Sequence, residues 1–304
     1  MNNDIHGLWP AVLTPVGADG ALHTPRAIAH ALRMLTAGCD GVTIFGTTGE
    51  GPAFSTAERM DLLEALLAEG ITADQVIVTT SASALPDAIA LGRHASGLGC
   101  HRQLYMPPFY FRQPRDAGIV EAVSQVVRGI DDDQLKMLLY HIPFLSSVAF
   151  THDSIATLVQ RHPGQVIGVK DSSGDRAHGL ALAKAFPELS ILVGAEQFVA
   201  EIMRAGGSGS INGLANISPR LMRRIIDAPQ AVEPQDEKLV LDLLALLSIR
   251  QNLPFVNVYK TMLAEQTGDD AWLEVRAPLC RLTDDEEQVL RKAYRAIGAA
   301  LGRI

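Results

Sequence analysis

Cysteine is scarce in this sequence: Cys39, Cys100 and Cys280 are the only three in 304 residues, widely separated and odd in number. That excludes a disulfide framework and a CxxC metal site, and it points to a reducing compartment, the cytoplasm being the expected location. Runs of basic residues are missing, and the formal net charge is −8. Neither nucleic acid nor an anionic membrane surface is therefore an expected partner. No stretch approaches the roughly 18 apolar residues of a membrane span, and MNNDIHGLWPAVLTP has no basic segment leading into an apolar one. Lysine is also rare, with six copies, so the position of each one carries information.

The chain is 47% hydrophobic and 20% charged, enough for a sizeable core in one large or two medium domains. Eight short apolar runs alternate with helix-period stretches: 8–14, 41–46, 76–80, 102–106, 136–141, 166–170, 190–194 and 209–212. Most are continuously apolar, as parallel strands covered on both faces require. Helix starts are visible between them: Thr24 with Pro25 at the first helical position, Ser55 with Glu58 as a capping box, and Thr151 ahead of HDSIATLVQ. Eight such units fit a (β/α)8 TIM barrel. The competing arrangement is a doubly wound open sheet, whose GxGxxG fingerprint after the first strand is missing. Past Pro229 the segments 233–250, 253–267 and 284–301 read as helices with no strand between them. The expected organisation is a barrel over 1–228 and a C-terminal helical region over 229–304.

Lys170 ends the sixth run, VIGVK, and in a barrel the ends of the strands form the mouth of the site. The other five lysines open a strand (Lys136) or fall in helical patterns (Lys184, Lys238, Lys260, Lys292). Desolvation favours a free amine over an ammonium, and a free amine attacks a carbonyl to give a Schiff base. The plain alternative is a lysine that snorkels from a strand end. Tyr140 ends the preceding strand and should stand beside Lys170, able either to pass protons or simply to pack. His141 should alternate away from the barrel centre, a structural position.

GTTGEG (46–51) pairs glycines with two hydroxyls and can present N–H and O–H groups to a carboxylate. It lacks the spacing and lysine of a Walker loop. Glu50 is read as a residue that ties this loop together. MPPFYFRQP (106–114) suggests a stiff exposed loop, in which Tyr110 completes a site or fills an interface. AGGSGSING (205–213) fits a phosphate or the close approach of another ligand.

Taken in order, GTTGE (46–50), PPFY (107–110), YHIP (140–143) and GVKDSSGD (168–175) resemble the dihydrodipicolinate synthase/N-acetylneuraminate lyase family of pyruvate-dependent class I aldolases, over essentially the whole chain. The resemblance implies a homo-oligomer, usually a tetramer, and no metal or organic cofactor. It implies that Lys170 is the Schiff-base lysine, Tyr140 the proton-shuttling tyrosine, and Thr47 and Thr48 the pair that holds the pyruvate carboxylate. Tyr110 corresponds to a loop tyrosine that reaches into a neighbouring subunit's proton relay, and Ile211 to a residue whose carbonyl lines the bound ketoacid.

Leu145 stands where the synthases carry an arginine for the carboxylate of aspartate semialdehyde, and a leucine cannot make that contact. VYKTML (258–263) looks like the C-terminal pattern of the sialic-acid lyases. Ser172 and Glu196 fit as hydroxyl-binding groups, with Asn212 beside them, whereas Ala195, Gln197, Asn212 and Gly213 depart from the lyase pattern. The expected partners are pyruvate and a small aldehyde or 2-oxo acid, with a 2-keto-3-deoxy sugar acid or a 4-hydroxy-2-oxo acid as substrate. The alternatives are dihydrodipicolinate synthase itself and a non-catalytic ketoacid-binding barrel.

Overall fold

The computed structural model describes residues 5–247 and 255–301. Eight parallel strands, β1 (Gly7–Leu8), β2 (Val42–Ile44), β3 (Val76–Thr79), β4 (Arg102–Tyr105), β5 (Lys136–His141), β6 (Val166–Asp171), β7 (Ser190–Val193) and β8 (Gly209–Ser210), pair in the order β1-β8-β7-β6-β5-β4-β3-β2. The ring closes where Ala11 bridges Thr43, with Val12 N–H donating to the Thr43 carbonyl (3.0 Å). This is the expected (β/α)8 barrel. The first strand is shorter than the run 8–14 because Pro10 has no N–H for the ladder.

Most of the barrel helices follow their strands: α1 (Thr24–Thr36), α2 (Thr56–Ala68), α3 (Leu85–Gly97), α4 (Asp116–Ile130), the short α5 (Pro143–Ser146), α6 (His152–Arg161), α7 (Arg176–Ala185), α8 (Val199–Arg204) and α9 (Pro219–Asp227). The Ser55–Glu58 capping box forms in full, and Thr151 caps α6 by accepting from Ser154 N–H. Thr24 is not a cap. His23 takes that place, its ring accepting from Arg26 N–H, and Thr24 opens the helix beside Pro25. The C-terminal helices α10 (Pro234–Leu247), α11 (Phe255–Thr267) and α12 (Asp284–Leu301) follow with no strand among the described residues. The expected helical stretches at 248–250 and 253–254 lie outside the described residues.

Two apolar groups fill the molecule. Trp9, Ala11, Ile77, Leu104, Leu138, Tyr140, Ile167, Leu192 and Ile211 pack inside the ring. Val42, Val76, Val78, Tyr105, Met137, Leu139, Val169, Ile191 and Val193 face the helices. Strands alternate with period 2, as the pleat demands. The sixth strand breaks the rule: Ile167 faces in, yet Val169, two residues on, faces out.

The cause is a bulge. Met137 pairs with Val166 but Leu138 pairs with Gly168, so β6 carries one extra residue at this point. A Cβ on Gly168 would sit 2.2 Å from the Ser190 carbonyl oxygen and 2.8 Å from Leu138 Cδ2. Only glycine fits there. Beyond the bulge the register is Leu139 with Val169 and Tyr140 with Lys170, so the slip turns Lys170 from the helix side to the barrel interior.

Gly168→Ala should therefore destabilise the protein or rephase β6. The expected result is a lowered unfolding temperature together with loss of any reaction at Lys170. A variant with wild-type stability and an equally reactive Lys170 would show that the bulge is not what aims the lysine.

Candidate functional site

A pocket of about 230 Å³ opens at the C-terminal ends of the strands, with Lys170, Tyr140, Thr47, Thr48 and Ile211 in its wall. Lys170 is only 3% exposed, and its Nζ lies 4.1 Å from the centroid of the Tyr140 ring. The nitrogen thus sits over the face of the phenol. The Tyr140 hydroxyl is 3.0 Å from Thr47 Oγ1, so lysine, phenol and loop hydroxyl form one connected group.

The loop that carries Thr47 and Thr48 is held under strain. Phe45 and Glu50 both have positive φ (55° and 54°), uncommon for residues with a Cβ. A Cβ on Gly51 would fall 1.9 Å from the Phe45 carbonyl oxygen, and one on Gly49 2.7 Å from that of Val12. Thr14 Oγ1 donates to the Gly49 carbonyl at 2.7 Å. Glu50 reaches away from the pocket to an ion pair with Lys260 Nζ at 2.6 Å, and that ammonium also donates to the Glu274 carbonyl at 3.1 Å.

Both members of this pair are buried. Burial draws Lys260 below its ordinary 10.5, and the Glu50 carboxylate pulls it back up. Removing one partner of such a pair costs about 3–5 kcal/mol, because the other is left charged and unpaired. The reading of Glu50 as a loop tie is supported. The helical pattern around Lys260 carried no sign that this lysine is buried, since its partner lies 210 residues away.

The outer wall comes from α5, α11 and the turns after β7 and β8: Phe144, Leu145, Phe255, Tyr259, Glu196, Asn212 and Gly213, with Leu247 beside them. Glu196 Oε1 accepts from Gly213 N–H and Leu214 N–H (3.1 Å each) and from the Tyr259 hydroxyl (3.4 Å). Burial pushes the Glu196 carboxyl up from its ordinary value, with these backbone donors and Lys170 opposing. Burial likewise raises Tyr259 well above 10, reinforced by Glu196.

Asn212 is buried and committed at both ends: Nδ2 donates to Ser210 Oγ at 2.7 Å, and Oδ1 accepts from Ala215 N–H at 2.9 Å. Ser172 lies at the pocket wall with Oγ 1.9 Å from where a Cβ on Gly194 would be. Along with Phe144 and Phe255, Tyr259 is a pocket residue that sequence reasoning did not single out. Its ring explains Gly213, whose Cβ would meet Tyr259 Cε2 at 2.8 Å and the hydroxyl at 3.0 Å. Tyr110 stands apart from this group, 77% exposed on the loop after β4.

One residue further along each strand than Tyr140 and Lys170, His141 pairs in register with Asp171 and faces outward. His141 stacks on His178 (centroids 4.3 Å apart, planes 16° apart), and His178 Nδ1 lies 3.1 Å from Asp171 Oδ2. These three could be considered as metal ligands. Two imidazoles stacked face to face cannot both point an in-plane lone pair at one ion, so the trio is a stacked and hydrogen-bonded clamp on β5 and β6. His141 accepts from Phe150 N–H at 3.1 Å, which matches its expected structural role.

With this geometry in place, the relationships of the chain are clear. Residues 4–297 match the model of the dihydrodipicolinate synthetase family. An uncharacterized DapA-like lyase of Chloroflexus aurantiacus is 34% identical over 296 residues, covering 96% of this chain and 97% of the relative. A solved dihydrodipicolinate synthase of Agrobacterium tumefaciens superposes with a TM-score of 0.90 at 33% identity, over 96% of this chain and 99% of that one. A Ruminococcus gnavus sialic acid aldolase, solved as a catalytic lysine mutant, shares the fold (TM-score 0.88, 23% identity, 98% and 97% covered). The barrel and its lysine-bearing mouth are those of a lyase of the class I aldolase type. The chain belongs to the dihydrodipicolinate synthetase family.

The histidines give this fold a pH dependence. Burial, and then the neighbouring His178, lower His141 from 6.5 to about 4, and burial lowers His30 to about 4. Between pH 4 and 6.5 the unfolded chain thus binds more protons at these residues than the folded one. Stability therefore falls with pH across that window, by about 1.4 kcal/mol per pH unit for each fully neutral histidine. His178 is raised by its hydrogen bond to Asp171, so its contribution is complete below 6.5 and is lost only as pH rises through its folded value. Thermal unfolding from pH 7 to 4.5 should show a steeper loss in the wild type than in His141→Asn. Equal slopes would mean that His141 is not held neutral.

Proposed function

We propose that the protein is a Schiff-base lyase or aldolase that cleaves or forms a C–C bond between pyruvate and an aldehyde. Its substrate is a 2-keto-3-deoxy sugar acid or 4-hydroxy-2-oxo acid. The observation that carries this reading is the buried Lys170 amine, 4.1 Å from the centre of the Tyr140 ring, in a pocket that also holds the Thr47 and Thr48 hydroxyls. The R. gnavus aldolase has a catalytic lysine, which supports the same role for Lys170.

In this mechanism the free Lys170 amine attacks the ketone carbon of pyruvate, the Tyr140 hydroxyl gives its proton to the departing carbinolamine hydroxyl, and water leaves a protonated imine. The imine nitrogen draws electrons from C3, so transfer of a C3 proton to the Tyr140 phenolate yields an enamine and restores the phenol. The enamine carbon attacks the aldehyde carbon and forms the new C–C bond. The Tyr140 hydroxyl supplies the proton to the resulting alkoxide, and Thr47 connects that hydroxyl to the rest of the loop. Water then releases the product from Lys170. Cleavage is the reverse. Thr47 and Thr48 hold the pyruvate carboxylate, and Ile211 lines the bound ketoacid. The likeness to the A. tumefaciens synthase, 33% identical, favours a second reading, dihydrodipicolinate synthase itself. Leu145 in place of the synthases' arginine argues against it.

Borohydride added with pyruvate should reduce the imine and fix a pyruvyl group on Lys170, located by peptide mass analysis. Tyr140→Phe should still be trapped yet lose turnover by about 10²–10⁴-fold, the usual worth of a positioned proton-transfer group. Modification at another lysine, or none, would overturn the mechanism in favour of a ketoacid-binding protein.

Tyr110 belongs in this proposal as a contact between subunits of a homotetramer, where it joins a neighbour's proton relay. Tyr110 and Phe111 are 77% and 79% exposed and pack edge to face at 5.4 Å, an apolar patch on a proline-bearing loop. Sedimentation should find a tetramer, which Tyr110→Ala with Phe111→Ala weakens. A fully active monomer would remove Tyr110 from the relay.

A further inference from the structure

The family resemblance gives Glu196 and Ser172 as groups for substrate hydroxyls but assigns nothing to Tyr259, which lies on α11, 63 residues from Glu196 in the chain. Tyr259 is only 2% exposed, and its ring lies against Gly213, where any Cβ would meet Cε2 at 2.8 Å and the hydroxyl at 3.0 Å. The missing side chain at Gly213 is what admits the ring. Seated there, the phenol donates to Glu196 Oε1 at 3.4 Å, and the same oxygen accepts from Gly213 N–H and Leu214 N–H at 3.1 Å each. Donors from two chain segments thus converge on one carboxylate oxygen. A partial turn of the carboxylate would break all three bonds and leave the two backbone groups unpaired.

The other oxygen is in a different position. Glu196 Oε2 is hydrogen-bonded to no other described residue and is not sealed off from the cavity that Glu196 lines. Ser172 Oγ is also open to that cavity and without a partner, and it lies against Gly194, 1.9 Å from where a Cβ would be. The pocket wall therefore offers a carboxylate oxygen that accepts and a hydroxyl that both donates and accepts, on either side of the Gly194–Ala195 turn. Phe144, Leu145 and Phe255 line the same cavity. A polyhydroxylated carbon chain, with C–H groups along one side and hydroxyls along another, matches both kinds of surface.

We infer, on the basis of the Schiff-base reading of Lys170, that Tyr259 is a positioning residue for substrate specificity: by holding Oε1 of Glu196 it aims Oε2 at a hydroxyl on the aldehyde half of the substrate. Tyr259 takes no part in imine formation or proton transfer at Lys170. Its effect is confined to the choice of aldehyde, which it biases toward one that carries a hydroxyl beside the carbonyl carbon. A hydrogen bond to a charged acceptor is among the stronger ones a pocket can offer, and an analogue without the donor leaves that acceptor unpaired.

Borohydride trapping of pyruvate on Lys170 comes first, because it uses no aldehyde. Absence of an adduct in the wild type would overturn the Schiff-base reading and this inference with it. In Tyr259→Phe, which keeps the ring against Gly213 and removes only the hydroxyl, trapping should proceed as in the wild type. The kcat/KM for pyruvate addition to glyceraldehyde relative to propanal, and to erythrose relative to butanal, should favour the hydroxylated member in the wild type. Each ratio should fall by about 10-fold in Tyr259→Phe, chiefly through KM. Gly213→Ala, whose methyl group displaces the ring, should lower the same ratios. Against a Glu196→Ala background, Tyr259→Phe should change the ratios no further, since the phenol acts through Glu196. A purely structural tyrosine would lower the unfolding temperature, or turnover of all four aldehydes alike, and leave the ratios where they were. An adduct on Lys170 together with no wild-type preference for the hydroxylated aldehydes would overturn the inference alone, as would unchanged ratios in a folded Tyr259→Phe or a further drop in the double variant.

Discussion

The geometry of this enzyme rests on one close approach: the backbone of β6 at Gly168 against the Ser190 carbonyl of β7. A methyl group there would stand 2.2 Å from that oxygen. The bulge at this point adds one residue to β6 and inverts the faces of everything after it. Without the inversion, Val169 would face the barrel interior and Lys170 would lie among the helices. With it, an amine replaces an apolar side chain beside Tyr140. Everything in the pocket is arranged around a lysine that the regular pleat would have placed outside.

Two further constraints hold the groups that meet Lys170. The GTTGEG loop carries two residues in the left-handed region, and it is anchored from below by Thr14 and from the side by the Glu50–Lys260 ion pair. The ends of β5 and β6 are tied together one residue past Tyr140 and Lys170, where His141, Asp171 and His178 form their clamp. The C-terminal helices take part in both the support and the site. Every residue of α11 from Val256 to Ala264 is buried, Lys260 braces the loop, and Tyr259 occupies the space beside Gly213. A region that reads as peripheral in the sequence thus supplies one wall of the pocket.

The outer wall shows how the same residue type can have different uses. Glu196 and Asn212 look in sequence like groups for binding hydroxyls. In the fold, their polar atoms complete the turns after β7 and β8, where backbone N–H groups would otherwise be buried without acceptors. Phe144, Leu145 and Phe255 share that wall with Ser172 and Glu196. The exchange of a synthase-type arginine for Leu145 is one part of a wall that is apolar across several elements.

Much was determined by the sequence alone. The eight apolar runs matched eight strands, the Ser55 and Thr151 caps formed as read, and β5 matched its run from 136 to 141, because strand propensity and capping are local. The pairing of Tyr140 with Lys170 also followed, from two neighbouring strands that end in reactive residues. Local pattern did not reveal the bulge that makes this pairing possible, since a period-2 reading cannot register an extra residue whose cause is a carbonyl on β7. Nor did it reveal the burial of Lys260, the place of Tyr259 or the prior commitment of Glu196 and Asn212. Each of these depends on partners between three and 210 residues away, in most cases brought together only by closure of the barrel and the docking of α11. Chemical identity was thus written in the residues, whereas orientation and availability were decided by tertiary packing, because a side chain's direction and its free hydrogen-bonding capacity depend on what the rest of the chain places against it.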